Sequence, residues 1–377
     1  MLAEAMTRNP VVDCDSHVME PPDLWLRYLE PEYRARAIRI ELVDGVERLL
    51  IGEEVVLQGV LAGLGGANLD RAQVFSGALR YTDGCPPASF DPLERAKLLD
   101  EWGVDAGVIF PTIGILPFPS DDLPLSSAYC RAYNRWQYDF ARAIPGRALP
   151  IAALELRDLD GARRELDWCL AHGFRGVFLP PELIGAHRPG SAVFDSLWAR
   201  CAEAGAPLCL HVIVRFGGAA RPFPAWLDSA PGPIFSFAMG GTGQIVPALA
   251  SMVLDGVFDR HPSLKLVAVE AGCGWAAYAM DRLDEKYAHF APLAPKLELR
   301  PSEYFKRNCY FVAEPEERTI GSMLELVGED RILWGSDYPH VDSSLDAPRQ
   351  IRASLAPLSA ERRAAVLGGN AAKLFRL

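Results

Sequence analysis

Four side chains that can bind a metal ion stand at the ends of three separate apolar runs. Asp15 and His17 close the first run two positions apart, so in an extended segment both side chains point to the same side. His211 ends a later run, and Asp337 stands just past the last one, on a turn. Two imidazoles and two carboxylates suit a divalent ion. We therefore predict one divalent metal ion, zinc before manganese, with these four residues as ligands.

Each of these residues alone has an ordinary structural explanation, because buried histidines often bond a carbonyl and loop carboxylates are common. The coincidence of ligand types at independent run ends favours a metal centre. A further carboxylate, Glu270, ends another apolar run and is predicted to act in catalysis together with Asp337. The run ending in Phe178-Leu179-Pro180 offers no lysine that could bridge two ions, which favours a single metal.

Two reactions fit these residues. A divalent ion lowers the pKa of its bound water from 15.7 toward roughly 7, and Asp337 is placed both to bind the ion and to accept a proton from that water. The resulting hydroxide would attack a carbonyl, which is hydrolysis. Alternatively, a carboxylated substrate bound to the metal would receive a proton on a ring carbon and lose CO2. The residues leave both reactions open.

Two long segments, Ile113–Pro124 and Val212–Thr242, are expected to be loops that shape the substrate site. The second contains several aromatic residues and two arginines, a combination that suits a planar, carboxylated small molecule. The alternative is that its aromatic residues pack a subunit interface. The predicted substrate contacts are Arg215, His340, Trp275 and His187.

Eight β-rich apolar runs carry the candidate residues, and each is typical of a strand buried on both faces. Because segments of helical periodicity separate them, the sequence predicts a distorted (β/α)8 TIM barrel, in which catalytic groups lie at the carboxyl ends of the strands. A doubly wound sheet is the alternative, but no G-x-G-x-x-G follows the first run. The runs are Val11–Cys14, Ala106–Phe110, Ala148–Ala152, Gly176–Leu179, Pro207–His211, Leu264–Glu270, Cys309–Val312 and Arg331–Trp334.

One insertion interrupts this alternation. Alternating residues between Ile38 and Leu57 surround Asp44-Gly45, a pattern that predicts a β-hairpin. We predict a single domain over residues 1–377, with an insertion at about residues 30–90 that covers the barrel mouth or decorates its side. The helix before the sixth strand is expected over Gln244–His261.

Composition narrows the possible partners and locations. The 377 residues carry a net charge of −11 and are half hydrophobic, which excludes a disordered chain and argues against nucleic-acid binding. None of the eight cysteines forms C-x-x-C, and we expect reduced core thiols in a cytoplasmic protein. The uncharged run Ser229–Leu254 has too many glycines and prolines for a lone membrane helix, so no membrane partner is expected. We predict a homodimer acting on a small molecule.

Two longer motifs resemble a known family. The stretch D-C-D-S-H-V-M-E-P at residues 13–21 and W-G-S-D-Y-P-H at residues 334–340 are similar to the amidohydrolase-related branch of the amidohydrolase superfamily. That branch includes aminocarboxymuconate-semialdehyde decarboxylase and related aromatic-acid decarboxylases. The resemblance covers nearly the whole chain and implies a distorted (β/α)8 barrel with one catalytic divalent metal.

The resemblance also assigns roles to individual positions. His17, His211 and Asp337 match metal ligands, and Asp15 stands where many members have the first histidine of H-x-H. Glu270 stands where the decarboxylases typically have a histidine that assists proton transfer. A non-catalytic barrel that binds a ligand or a partner is the alternative class, and metal content would discriminate between the two.

Overall fold

The computed structural model describes residues 9–115, 122–213 and 234–377, and it contains the predicted barrel. Eight parallel strands follow one another in the order β1-β5-β6-β7-β8-β9-β10-β11. Every residue in these strands is buried, as expected of strands covered on both faces. The strands are β1 (Val12–His17), β5 (Ala106–Phe110), β6 (Ala148–Ala152), β7 (Gly176–Leu179), β8 (Leu208–His211), β9 (Leu266–Val269), β10 (Cys309–Ala313) and β11 (Ile332–Trp334).

The barrel closes between its first and last strands through hydrogen bonds that involve two predicted ligands. The backbone N–H groups of Ser336 and Asp337 donate to the carbonyl of Asp15 at 3.1 and 2.8 Å. The buried carboxylate of Asp13 accepts hydrogen bonds from the N–H and the hydroxyl of Ser336 at 2.9 and 2.6 Å. This seam fixes Asp15 beside Asp337 across 322 positions of the chain.

Helices lie between the strands and cover the barrel. The longer helices are α3 (Pro92–Trp102), α4 (Leu123–Ala143), α5 (Leu159–Ala171), α6 (Asp195–Ala204), α7 (Ile234–Leu254), α9 (Trp275–His289), α10 (Pro301–Asn308), α11 (Ile320–Val327) and α12 (Ala347–Ser354). The shorter ones are α1 (Leu24–Tyr28), α2 (Arg71–Phe75), α8 (Val257–Arg260), α13 (Ala360–Ala364) and α14 (Asn370–Phe375).

Local sequence sets the helix ends. In α3, Asp91 accepts from the backbone N–H groups of Leu93 and Glu94 at 2.8 and 3.2 Å, and Pro92 occupies the first turn. The helix ends at Gly103, whose φ of 61° is a conformation that glycine adopts without strain.

The predicted hairpin is present within a three-stranded antiparallel sheet. Its strands are β2 (Arg39–Val43), β3 (Val46–Ile51) and β4 (Glu54–Gln58). Positive φ at both Asp44 and Gly45 gives the tight turn between β2 and β3. The rest of the insertion reaches the barrel mouth, because Ala67 N–H donates to the Pro339 carbonyl at 3.1 Å and Arg71 donates to the Ser343 carbonyl at 2.8 Å.

Helix α7 starts earlier than the predicted Gln244 and ends at Leu254 instead of His261, because Gly256, with a φ of 73°, separates it from the short helix α8. The residues 234–242, expected to continue a loop, form its first turns, so the prediction of a loop up to Thr242 is wrong. The glycines taken as helix breakers have a packing role. A Cβ at Gly241 would lie 2.3 Å from the Glu270 carbonyl oxygen, so only glycine lets this helix approach the loop after β9.

Helix α7 is also long and apolar enough, over Phe237–Leu254, to cross a membrane by length and composition. In the barrel its Ile245, Leu249 and Met252 are fully buried in the main hydrophobic core. All eight cysteines are free, as predicted, and all but Cys85 are buried.

Gly335, at the barrel seam, leads to a first prediction. A Cβ there would lie 2.2 Å from the Asp15 Cβ and 2.9 Å from a Val312 methyl carbon. Gly335→Ala is therefore expected to destabilise the protein by about 1–3 kcal/mol, as overpacked cores do, and to displace Asp15. Urea denaturation measures the first effect and metal affinity the second. Gly321→Ala, where the nearest atom lies at 3.4 Å, is the control; equal losses in both variants would contradict the packing argument.

Candidate metal centre and active site

The four predicted ligands converge at the carboxyl ends of β1, β8 and β11. The Nε2 atoms of His17 and His211 lie 3.2 Å apart. Asp15 Oδ1 lies 3.2 Å from His17 Nε2 and 3.4 Å from His211 Nε2. Asp337 Oδ1 lies 3.4 Å from His17 Nε2. All four side chains are buried. These distances show that the four residues lie close together, as their positions at strand ends predicted.

The hydrogen bond at Nδ1 of each imidazole determines whether its Nε2 atom presents a lone pair to the centre. His17 Nδ1 lies 2.7 Å from the Pro111 carbonyl oxygen, and His211 Nδ1 lies 2.8 Å from the Val212 carbonyl oxygen. A carbonyl only accepts, so both Nδ1 atoms carry the proton and both Nε2 atoms present lone pairs. Burial lowers the pKa of His17, which disfavours a second proton on it. Two lone pairs that face each other at 3.2 Å repel, and a cation bound by both nitrogens would relieve this repulsion.

The carboxylates of Asp337 and Asp15 add oxygen lone pairs that a cation would bind. Within the described residues, neither oxygen of Asp337 has a hydrogen-bond partner, although His340 Nδ1 lies 2.7 Å from Oδ1. Burial, and then the like charges of Glu270 and Asp342, raise the pKa of Asp337 well above its ordinary value. Asp15 Oδ1 faces the Nε2 atoms of His17 and His211 at 3.2 and 3.4 Å, and neither Nε2 carries a proton, so a further oxygen lone pair points into the site. The ligand atoms of Asp15, His17 and His211 lie within 4.8 Å of one another, as do those of His17, Asp337 and His340, and each group has donors that suit a divalent ion.

A ring of further carboxylates surrounds the centre at the barrel mouth. Glu270 Oε2 lies 3.5 Å from His211 Nδ1, and Glu270 and Asp337 both have φ near +55°, which is strained for residues other than glycine. Burial, followed by the charges of Asp15 and Asp342, raises the pKa of Glu270 well above its ordinary value. Glu314 follows β10 on the same rim. Carboxyl groups are therefore concentrated where a substrate would enter, and their raised pKa values favour the protonated, neutral forms.

Glu314 leads to a pH-dependent prediction. Although Glu314 is exposed at the rim, partial loss of hydration of its carboxyl, and then the like charges of Asp15 and Asp342, raise its pKa from 4.5 to about 8; screening by solvent keeps the expected effect on stability small. Because the folded-state pKa is the higher one, stability is lost as the pH rises through about 8. In the metal-free protein, Glu314→Gln is expected to raise the melting temperature by about 1–2 °C at pH 9 and to leave it unchanged at pH 5. Exposed Glu54→Gln is the control, and a gain that is equal at both pH values would contradict the assignment.

Of the four residues predicted to contact the substrate, three are described by the structure, and they lie in three different places. His340 lies in the centre, with its ring centroid 4.0 Å from that of His17. Trp275 donates its indole N–H to the Gly272 carbonyl at 2.9 Å, in the loop after β9. His187 packs its ring against Phe194 in the loop after β7. Their substrate roles stay predictions. Arg215 lies outside the described residues.

The sequence analysis missed several residues that support the site. Thr112 Oγ1 lies 3.1 Å from His340 Nε2. Arg95 is 1% exposed, and it donates to the Ser16 hydroxyl at 2.8 Å and to the His17 carbonyl. A charged residue on the buried face of α3 was the available signal for Arg95. Thr112 offered none, because its partner lies 228 positions away.

A (β/α)8 barrel with metal-ligand side chains at the carboxyl ends of its strands defines a class of proteins. Comparison with known families shows which family within this class the chain belongs to. Residues 12–377 match the amidohydrolase family that the two motifs resembled, and the chain belongs to it.

Curated relatives of this chain are decarboxylases. It is 27% identical over 274 residues to a gamma-resorcylate decarboxylase of Rhizobium radiobacter, covering 67% of this chain and 78% of the relative. It is 23% identical over 293 residues to the 2-amino-3-carboxymuconate-6-semialdehyde decarboxylase of Dictyostelium discoideum, covering 76% of this chain and 77% of that relative. These names support an enzyme over a non-catalytic barrel.

Solved structures share the fold. An amidohydrolase from Mycobacterium avium subsp. paratuberculosis superposes with a TM-score of 0.80 at 24% identity, over 98% of this chain and 100% of that one. A dihydroxybenzoic acid decarboxylase from Polaromonas, with bound manganese and 2-nitroresorcinol, gives a TM-score of 0.66 at 20% identity, over 98% of this chain and 97% of that one.

Proposed function

We propose that this protein is a divalent-metal-dependent carboxy-lyase that removes CO2 from a small aromatic carboxylate without oxidation. The observation that carries the metal dependence is the pair of Nε2 lone pairs on His17 and His211, which face each other at 3.2 Å beside two buried carboxylates. The decarboxylase relatives, at 27% and 23% identity, support the reaction type.

Asp15, His17, His211 and Asp337 would hold the ion, and the chemistry that it would supply when bound is positive charge for a substrate carboxylate and a neighbouring oxygen. Glu270, at the end of β9, is the proposed proton donor to the ring carbon that carries the carboxylate. The proton forms a C–H bond, the bond between ring and carboxylate breaks, and its electron pair returns to the ring as CO2 leaves. Burial raises the pKa of Glu270, which favours the protonated form that this step needs.

Hydrolysis is the second candidate, and the acidic rim favours it. Wherever Glu270, Glu314 and Asp342 are ionised, they would repel an anionic substrate, whereas a neutral amide or lactone would meet no such barrier. In that case, Asp337 would take a proton from the attacking water. Arg215 remains the predicted counter-charge for a carboxylated substrate.

The remaining assignments are part of the same proposal. Zinc is proposed as the metal, with manganese as the alternative supported by the manganese found in the Polaromonas neighbour. A cytoplasmic homodimer that acts on a small molecule, with neither nucleic acid nor membrane as partner, completes the proposal.

Release of labelled CO2 tests the proposal. Protein stripped with a chelator and reloaded with zinc or manganese is incubated with hydroxybenzoates carrying 13C in the carboxyl group. We expect 13CO2 and the matching phenol from the reloaded protein and neither from the stripped protein. Hydrolysis of aryl amides or lactones by the reloaded protein, without CO2 from any hydroxybenzoate, would replace decarboxylation with the second candidate.

A further inference from the structure

Glu20 is a buried carboxylate that neither the metal centre nor the proposed reaction uses. It is 0% exposed, and its two oxygens accept backbone N–H hydrogen bonds from three successive residues: Thr112 at 3.1 Å, Ile113 at 2.8 Å and Gly114 at 3.1 Å. A carboxylate is the side chain best suited to accept several N–H groups at once. Glu20 therefore holds the turn that follows β5, here called the 111–114 turn.

The 111–114 turn contacts two histidines of the centre. The Pro111 carbonyl accepts from His17 Nδ1 at 2.7 Å, and the Thr112 hydroxyl lies 3.1 Å from His340 Nε2. These contacts decide which ring nitrogen of each histidine carries its proton and how each ring is oriented. Glu20 thus bonds the backbone of Thr112, which contacts His340, and Thr112 directly follows Pro111, which contacts His17.

We propose that Glu20 is a positioning residue that fixes the tautomers and orientations of His17 and His340 by holding the 111–114 turn. The inference rests on the proposed function only in that His17 is a metal ligand. Outer groups that orient metal-binding histidines typically change metal affinity 10–100-fold when they are altered.

An alternative explanation is that Glu20 only stabilises the fold. Burial raises its pKa to about 7 against the lowering effect of the backbone hydrogen bonds. The three backbone N–H bonds offset the cost of burying this carboxylate, so they stabilise the fold as well as the turn. Glu165 provides a matched control, because it is also buried, at 6% exposed, and binds Arg135 at 2.7 Å on the outer helices.

The test uses the full chain labelled with 15N in its seven histidines. Two-bond proton–nitrogen spectra of the metal-free protein at pH 8 report the tautomer of each ring, and competition with a chromophoric chelator gives the Kd for zinc. We expect Glu20→Gln to replace the single tautomer patterns of His17 and His340 with mixed ones and to weaken zinc binding by about 10–100-fold. We expect Glu165→Gln to change neither.

Wild-type tautomer patterns in Glu20→Gln, or an equal loss of zinc affinity in Glu165→Gln, would overturn the proposal. If Glu20→Gln does not fold, Gly114→Ala tests the same turn, since its added Cβ would lie 2.8 Å from the Pro111 Cβ and displace the turn. It must then change the same two histidines, and unchanged patterns would overturn the proposal. The tautomer measurement needs neither metal nor turnover, so failure of the proposed function is a separate result.

Discussion

His211→Ala is expected to lose the metal and with it all measurable turnover, while the protein stays folded. The Nε2 atom of His211 is one of two imidazole lone pairs in the centre, 3.2 Å from His17 Nε2 and 3.4 Å from Asp15 Oδ1. Alteration of outer partners already costs 10–100-fold in metal affinity, so loss of a ligand costs more. The remaining carboxylates and His17 offer a single imidazole nitrogen, which is a weaker donor set for zinc than two imidazoles.

Elemental analysis after dialysis against a stated free zinc concentration measures this effect, and circular dichroism reports the fold. His289→Ala is the control, because His289 is exposed at the end of α9. Full metal occupancy in His211→Ala would remove His211 from the ligand set. Loss of metal in both variants would show that metal occupancy depends on the number of histidines and not on the position of His211.

Glu270→Gln is expected to lower kcat/KM by about 10²–10⁴-fold, the usual contribution of a positioned acid or base. Glutamine keeps the shape of the side chain but cannot transfer a proton. Glu270 lies 3.5 Å from His211 Nδ1 at the barrel mouth, and burial raises its pKa, so the residue is available as an acid near neutral pH. Because the ion is held by other residues, the affinity for zinc should fall far less than turnover.

The pH profile of kcat/KM for the wild type and for Glu270→Gln separates proton transfer from a structural effect. The wild-type profile should lose activity on the alkaline side as the acid ionises, and the variant should lack that limb. Exposed Glu316→Gln serves as the control. Wild-type activity in Glu270→Gln would exclude a proton-transfer role and favour Asp337 as the only acid–base group.

The barrel was predictable because its strands are buried on both faces. Runs such as Ala106–Phe110 and Ala148–Ala152 match the observed strands at both ends, since continuous apolar sequence is the signature of such strands. Helix α7 was predicted less well. Gly241 signals a break in local sequence, but its actual constraint is the backbone of Glu270, which no local pattern shows.

The candidate site was likewise predictable only in part. Asp15, His17, His211 and Asp337 were predictable because strand ends in a barrel meet at one face. Glu20 was not predicted, because its effect on the centre passes through backbone groups, and Thr112 was not predicted, because its hydroxyl contacts a histidine 228 positions away. The N–H of Ile113 and the carbonyl of Pro111 are identical in chemistry at every position of the chain, and only the folded geometry shows which ones they bond.

Anomalous diffraction from crystals soaked in manganese tests the central claim most directly, because it places the ion without reference to activity. We predict one strong peak per chain, within roughly 2.0–2.3 Å of His17 Nε2, His211 Nε2 and an oxygen of Asp337, with Asp15 as a further ligand. A centre without a peak at saturating manganese, or a peak that contacts neither histidine, would contradict the account.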